Sequence, residues 1–198
     1  MSKKFKAVSV VILSMSLFIT ASWIINNENE IPVVSGQGEI SENYSSTNDM
    51  EKDSILTIKG KVIEQETLVY GNLPFTISDV KIIQSYKGKH VKGDVIQVVE
   101  TGGIYHPEGK NGDKLDKVEM RLNGVATLNE KDNVILFLDN FIGPQIENGY
   151  IPLGAYQGRF KSDINGNLKQ LTSEGNEITN IEQQKISSFE EKLESTKQ

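Results

Sequence analysis

Residues able to do chemistry gather in two places along this chain. Asp163, Asn165, Asn167 and Glu174 have the spacing of positions 1, 3, 5 and 12 of a calcium-binding EF-hand loop. That loop needs glycine at its sixth position, where this chain has Leu168, and a helix leading in, where it has a strand-like pattern. Its glycine falls at the fourth position. Asp163-Ile164-Asn165-Gly166-Asn167 therefore reads as a hairpin turn, because Asn-Gly tolerates positive φ. The second place is the polar stretch 103–116, which holds His106, Glu108, Asp113 and Asp116. An imidazole and carboxylates on one loop form a donor set for a divalent cation; the competing reading is a solvated loop. Gly109-Lys110 does not complete a phosphate-binding loop, since Ile104 replaces that motif's first glycine and Asn111 its Ser or Thr.

The other catalytic patterns are incomplete. His90 and His106 are the only histidines, and a serine nucleophile would need one of them paired with an acid. No Gly-x-Ser-x-Gly elbow occurs. His90 lies in the charged turn 87–94 and is expected to be exposed. Arg159 and Phe160 read as a surface charge beside a core aromatic. The absence of cysteine removes thiolate nucleophiles, zinc–cysteine sites, iron–sulfur clusters and disulfides. No residue is assigned a catalytic, cofactor-binding or metal-ligating role, and no cofactor is expected.

The elements that must position these residues are strands. Leu56, Ile58 and Val62 alternate with Thr57, Lys59 and Lys61, predicting a strand over 54–69. Tyr70-Gly71-Asn72 supplies a turn, and further strands are predicted over 75–86 and 95–100, the latter broken by Gly102-Gly103. Val118, Met120 and Leu122 mark another. The continuous apolar run Val134-Ile135-Leu136-Phe137-Leu138 marks the most buried strand, within 133–139. Short strands follow at 150–153, 157–161 and 168–171. Ile178, Ile181, Ile186, Phe189 and Leu193 share one helical arc, and Thr179-Asn180-Ile181-Glu182 fits a capping box, so a helix is predicted over 179–196. The result is a mainly β domain over 54–178, a small closed or sandwich-like antiparallel sheet carrying a C-terminal amphipathic helix.

The N-terminal part reads differently. Lys3, Lys4 and Lys6 precede an uncharged apolar run, residues 7–25. Such a segment is a hydrophobic signal or anchor helix: either a cleaved export signal, cut after Ser22, or a retained membrane anchor with Trp23 at the outer interface. Both place the rest of the chain outside the cytoplasm. No cysteine follows for lipid attachment, and no Leu-Pro-x-Thr-Gly motif lies near the C-terminus. Residues 26–53 carry seven acids against Lys52 and few apolar side chains, which predicts a disordered acidic tether. Removing the three leader lysines from 21 basic residues leaves 18 against 27 acidic ones, a net charge of −9. That balance opposes nucleic acid and anionic lipid as partners.

One ordered set of motifs runs through the domain: Gly60 and Val62; Thr76, Val80, Lys87 and Gly88; Gly93, Asp94, Ile96 and Val98; Gly102 and Gly103; Leu136-Phe137-Leu138; and Gln157-Gly158-Arg159-Phe160. Over residues 55–171 this order resembles a functionally uncharacterised family of exported proteins of Gram-positive bacteria. The resemblance implies a small OB-like β-barrel and carries no catalytic residues with it. The chain departs from that family ahead of the apolar strand, where Asn129-Glu130-Lys131-Asp132 replaces a Gly-Glu pair. The expected function is a non-enzymatic binding or interaction module, secreted or held at the cell envelope through residues 7–25. Its expected partner is an envelope or extracellular molecule of unknown identity, with no nucleic acid. Two alternatives stand beside it: an envelope hydrolase or metal-dependent enzyme using loop 103–116, and an accessory or immunity-type protein.

Overall fold

Alternating apolar and polar residues turn the first half of the domain into a β-meander. The computed structural model describes residues 30–40, 42–143, 145–163, 165–173, 175, 177–178 and 184–195. The hydrophobic leader, Glu174 of the calcium-like pattern and the capping box 179–182 lie outside them. The elements are β1 (Val33–Gly36), α1 (Thr47–Asp53), β2 (Leu56–Tyr70), β3 (Leu73–Lys87), β4 (Val95–Tyr105), β5 (Val118–Leu122), β6 (Asn133–Asn140), β7 (Tyr150–Pro152), β8 (Arg159–Ser162), β9 (Leu168–Gln170) and α2 (Ile186–Ser195).

β2, β3 and β4 pair in succession as antiparallel neighbours, and β6 pairs antiparallel with the other side of β2. The three-residue β7 closes the ring: it is antiparallel to β6 and parallel to β4, with Val98 opposite Tyr150. The cycle β2-β3-β4-β7-β6 is a closed five-strand barrel. Ile58, Val80, Ile96, Val98, Leu136 and Leu138 belong to the cluster that fills it. Gly60 belongs to the same packing, since a Cβ there would press on Val80 and the Lys81 carbonyl.

β6 is apolar without interruption because both of its faces are buried. Val134, Leu136 and Leu138 join the barrel cluster, while Ile135 and Phe137 join a second one with Phe160, Leu168, Phe189 and Leu193. Phe137, Phe160 and Phe189 form a triangle with ring centroids 5.7, 6.1 and 5.8 Å apart, which fixes α2 against β6 and β8. The helix begins at Ile186, later than its apolar arc predicts. Ile178, counted in that arc, is buried in the same cluster but lies outside the helix, its N–H donating to Gln170 Oε1 at 2.8 Å.

Three further expectations are corrected. From Glu30 on, the stretch expected as a tether carries ordered elements. β1 pairs in parallel with β5, and α1, capped by Ser46, buries Met50 completely. Composition misleads here because Met50 and Tyr44 alone supply the buried apolar surface among many acids. Gly102-Gly103 bends β4 without ending it: both residues hold φ near +120°, and the strand continues to Tyr105 while changing partner from β3 to β5. Arg159 is 1% exposed, and no surface charge. Its Nη1 is paired with the Glu100 carboxylate and donates to the Ala126 carbonyl (3.0 Å). Nε donates to Tyr156 O (3.1 Å) and Nη2 to Leu171 O (2.8 Å), while Glu100 Oε2 accepts from Leu128 N at 3.0 Å.

Two stability outcomes follow. Met50→Ala should lower unfolding free energy by about 2–5 kcal/mol in chemical denaturation; an unchanged midpoint would mean that α1 is no part of the fold. Arg159→Met and Glu100→Leu should each cost about 3–5 kcal/mol by stranding the other charge, and the double variant should recover most of that loss.

Candidate binding face

Beyond the barrel, β2 and β3 continue as a ribbon. From Glu64–Asp79 to Tyr70–Leu73 their register is unbroken, and the turn residues Gly71 and Asn72 hold φ of 56° and 66°, as a two-residue type I′ hairpin requires. Residues opposite one another on paired strands share a face. One face of the ribbon therefore carries Glu64, Glu66, Leu68 and Tyr70 beside Asp79, Ile77, Phe75 and Leu73. β4 extends it with Gln97 opposite Asp79, Val99 opposite Ile77 and Thr101 opposite Phe75.

This face points away from the barrel cluster, to which the alternate residues Val80, Ile96 and Val98 belong. Ile77 and Val99 are buried all the same, Val99 where the loop between β6 and β7 reaches it at Gly149. The Phe141 ring meets Phe75 edge-on at 6.3 Å and 68°, and a Cβ at Gly149 would press on Val99. What stays open is a groove of about 180 Å³ lined by Ile77, Gln65, Glu64, Glu66, Asp79 and Gln97. Further along the ribbon Tyr70 is 48% exposed, and in the loop Ile142, next to Phe141, is 90% exposed. The arrangement is an aromatic and aliphatic patch beside an acidic groove, suited to holding a ligand with apolar and cationic parts.

The residues singled out in the sequence fall elsewhere and are not brought together. His90 is half-buried, contrary to expectation: Nδ1 lies 3.2 Å from Asp94 Oδ2 and Nε2 lies 2.8 Å from the Tyr150 hydroxyl. The trio has the connectivity of an acid–base–nucleophile relay, with tyrosine in the place of serine. Burial pushes the Tyr150 phenol above its ordinary value, so it stays protonated and ties turn 88–94 to β7 as a hydrogen-bonding group. In loop 103–116, His106 Nδ1 lies 3.0 Å from the Leu115 carbonyl, and Glu108 faces Lys114 across an isolated bridge. Among the described residues no three His, Asp or Glu side chains come close enough to share a metal ion. Asp163 spends its carboxylate on its own turn, accepting from the N–H groups of Asn165 and Asn167 (2.8 Å each) and from Asn167 Nδ2 (3.0 Å). Sequence reasoning missed the face as a unit; its trace was the alternation Glu64-x-Glu66-x-Leu68-x-Tyr70, which puts acid and apolar residues on one side of a strand.

The chain matches no family model, no curated protein and no solved structure.

Asp163 and Asp94 are both held below the ordinary carboxylate range. The leading cause is a backbone N–H, from Asn167 for Asp163 and from Val91 for Asp94, with His90 adding to the latter. A depressed folded-state pKa stabilises fully above the unfolded value and is lost as pH falls through the folded one. Asp163→Asn should therefore lower the melting temperature at pH 7, and the gap to the parent should close as pH drops below about 4. A gap constant down to pH 2 would show that the charge contributes nothing.

Proposed function

We propose that this chain is an OB-like binding domain that works outside the cytoplasm and holds its ligand on the outer face of β3 and β4. The strand order supports the OB-like reading: a three-strand meander, a fourth strand beside the first, and a fifth closing the ring in parallel with the third. In barrels of that type, ligands are received by the second and third strands and by the loops joining strands 1–2 and 4–5. Here those elements are β3, β4, the turn at Gly71-Asn72 and the loop 141–149. The carrying observation is that the face bearing the acidic groove also carries the exposed Tyr70 and the Phe75 ring on which Phe141 of the loop 141–149 packs. The likeness to OB barrels is one of fold, so the ligand class rests on the residues of this site alone. Acidic walls and a net charge of −9 beyond the leader turn the reading away from nucleic acid, whose phosphates need Lys and Arg.

The leader 7–25 and the resemblance to exported proteins of Gram-positive bacteria support the extracytoplasmic address. A binding module needs no reorganised titratable cluster. The hydrolase and metal-enzyme alternative gains nothing from loop 103–116, where His106 faces a backbone carbonyl.

Fractionation of cells producing the tagged chain should place it in the envelope or the medium, and intact mass should distinguish a retained Met1 end from a Trp23 end left by cleavage. Recovery from the cytosol sinks the address. Replacing the exposed Tyr70 and Ile142 together by alanine should weaken retention on washed envelopes by about tenfold or more, with an unchanged melting temperature. Undiminished retention would move the binding site off this face.

A further inference from the structure

A strand that outruns its neighbour on one side leaves backbone groups facing water. β2 is accompanied by β6 only from Leu56 to Lys61, and Val62 exchanges backbone hydrogen bonds with Lys131 and Asp132. From Glu64 to Tyr70 its inner side is held by β3, and among the described residues no strand pairs with its outer side. That open stretch is about the length of an ordinary strand. Edges of this size are commonly blunted by lysine, proline or a bulge. Here the irregularities of β2 all precede Glu64, and the segment Glu-Gln-Glu-Thr-Leu-Val-Tyr holds neither lysine nor proline.

We propose that this edge takes up an extended, basic segment of a partner protein as an added strand, which rests on the reading of the domain as a binding module. Backbone hydrogen bonds would supply the attachment, and side chains at every second position the selection. Glu64 and Glu66 lie on one face with Asp79 beside Glu64 across the pair, and Leu68 and Tyr70 continue that face. A fitting strand therefore carries Lys or Arg at two alternate positions, followed by apolar residues at the next two. Charge favours a basic occupant over a second copy: antiparallel pairing of two 64–70 edges centred on Thr67 would set Glu64 across from Tyr70 and Glu66 across from Leu68, leaving both glutamates without a counter-charge. A basic strand instead sets opposite charges across from both glutamates.

The test uses the full chain in mild detergent with two synthetic probes, Lys-Thr-Lys-Thr-Val-Thr-Val and its reverse, which present the pattern in parallel and antiparallel sense. One of them should bind and slow backbone amide exchange across residues 64–70. N-methylation of one alternate set of its residues should abolish binding, while the other set tolerates it. Glu64→Lys with Glu66→Lys should weaken binding by about tenfold or more at low salt, and added salt should shrink the difference. Binding of neither probe, or binding that leaves exchange at 64–70 unchanged, overturns the added strand. Protection of 64–70 that rises with protein concentration and no probe overturns the choice of occupant in favour of a second copy. If the probes fail while Tyr70 and Ile142 still govern envelope retention, the strand is lost and the binding face stands.

Discussion

The structure turns on four consecutive residues, Gln157-Gly158-Arg159-Phe160, and above all on the buried ion pair that the third makes with Glu100. Taking two charges out of water costs several kcal/mol each, and their attraction offsets that only when the remaining polar atoms are satisfied. Arg159 meets this condition with three backbone carbonyls as well as Glu100, and Glu100 meets it with the Leu128 N–H. Two acceptors lie outside the strands, in the loop around Ala126 and the turn at Tyr156, and the third, Leu171, follows β9 and returns its N–H to the Arg159 carbonyl at 2.8 Å. One guanidinium thus ties β4 and β8 to two irregular stretches and to the end of β9. The fork geometry and permanent charge of arginine suit it to that task, and lysine could not reach as many partners.

The neighbours of Arg159 have equally local duties. Gln157 accepts from Tyr44 N–H at 2.9 Å and donates to Asn43 Oδ1 at 2.7 Å, which seats the N-terminal segment against the domain. At Gly158 a Cβ would run into the Phe137 carbonyl and the Leu153 N–H, so glycine lets the turn approach β6 and receive the Phe137 N–H at 2.8 Å. Phe160 completes the aromatic triangle that carries α2. Each residue is needed for a different reason, which explains why the run stands out in the sequence although no chemistry attaches to it. It is a junction between the barrel, the helical layer and the N-terminal segment.

Strands were legible wherever one periodicity held without competition. The alternation along β2, the Gly-Asn turn and the double-sided burial of β6 could be read residue by residue, and so could the terminal helix through Phe189 and Leu193. What escaped reading was set by partners distant in sequence. Arg159 looks like a surface cation until Glu100, 59 residues away, is brought beside it. Met50 sits among acids that predict disorder, yet its burial against the cluster of Phe137, a Ser46 cap and Lys87 Nζ on the Glu51 and Lys52 carbonyls hold α1. Gly102-Gly103 reads as an end because a glycine pair weakens a strand; here the same freedom lets β4 leave one sheet neighbour for another. The candidate face was invisible for a related reason: it joins β2, β3, β4 and a loop after β6, and each part alone is an ordinary strand or turn.

The way charge is distributed separates what holds this domain together from what it offers to others. The buried charges of Glu100 and Arg159 are paired and hydrogen-bonded to backbone, so removing one leaves an uncompensated ion and threatens the fold. The acids of the ribbon face are instead half-buried or exposed, at Asp79, Glu64 and Glu66. Changing them perturbs water and ligand far more than the core. Substitutions at Glu64 and Glu66 should thus cost little stability, while the Gln157–Phe160 run cannot vary without loosening several elements together. A fold organised in this way fits the proposed binding reading, in which specificity would lie on a ribbon that the barrel supports.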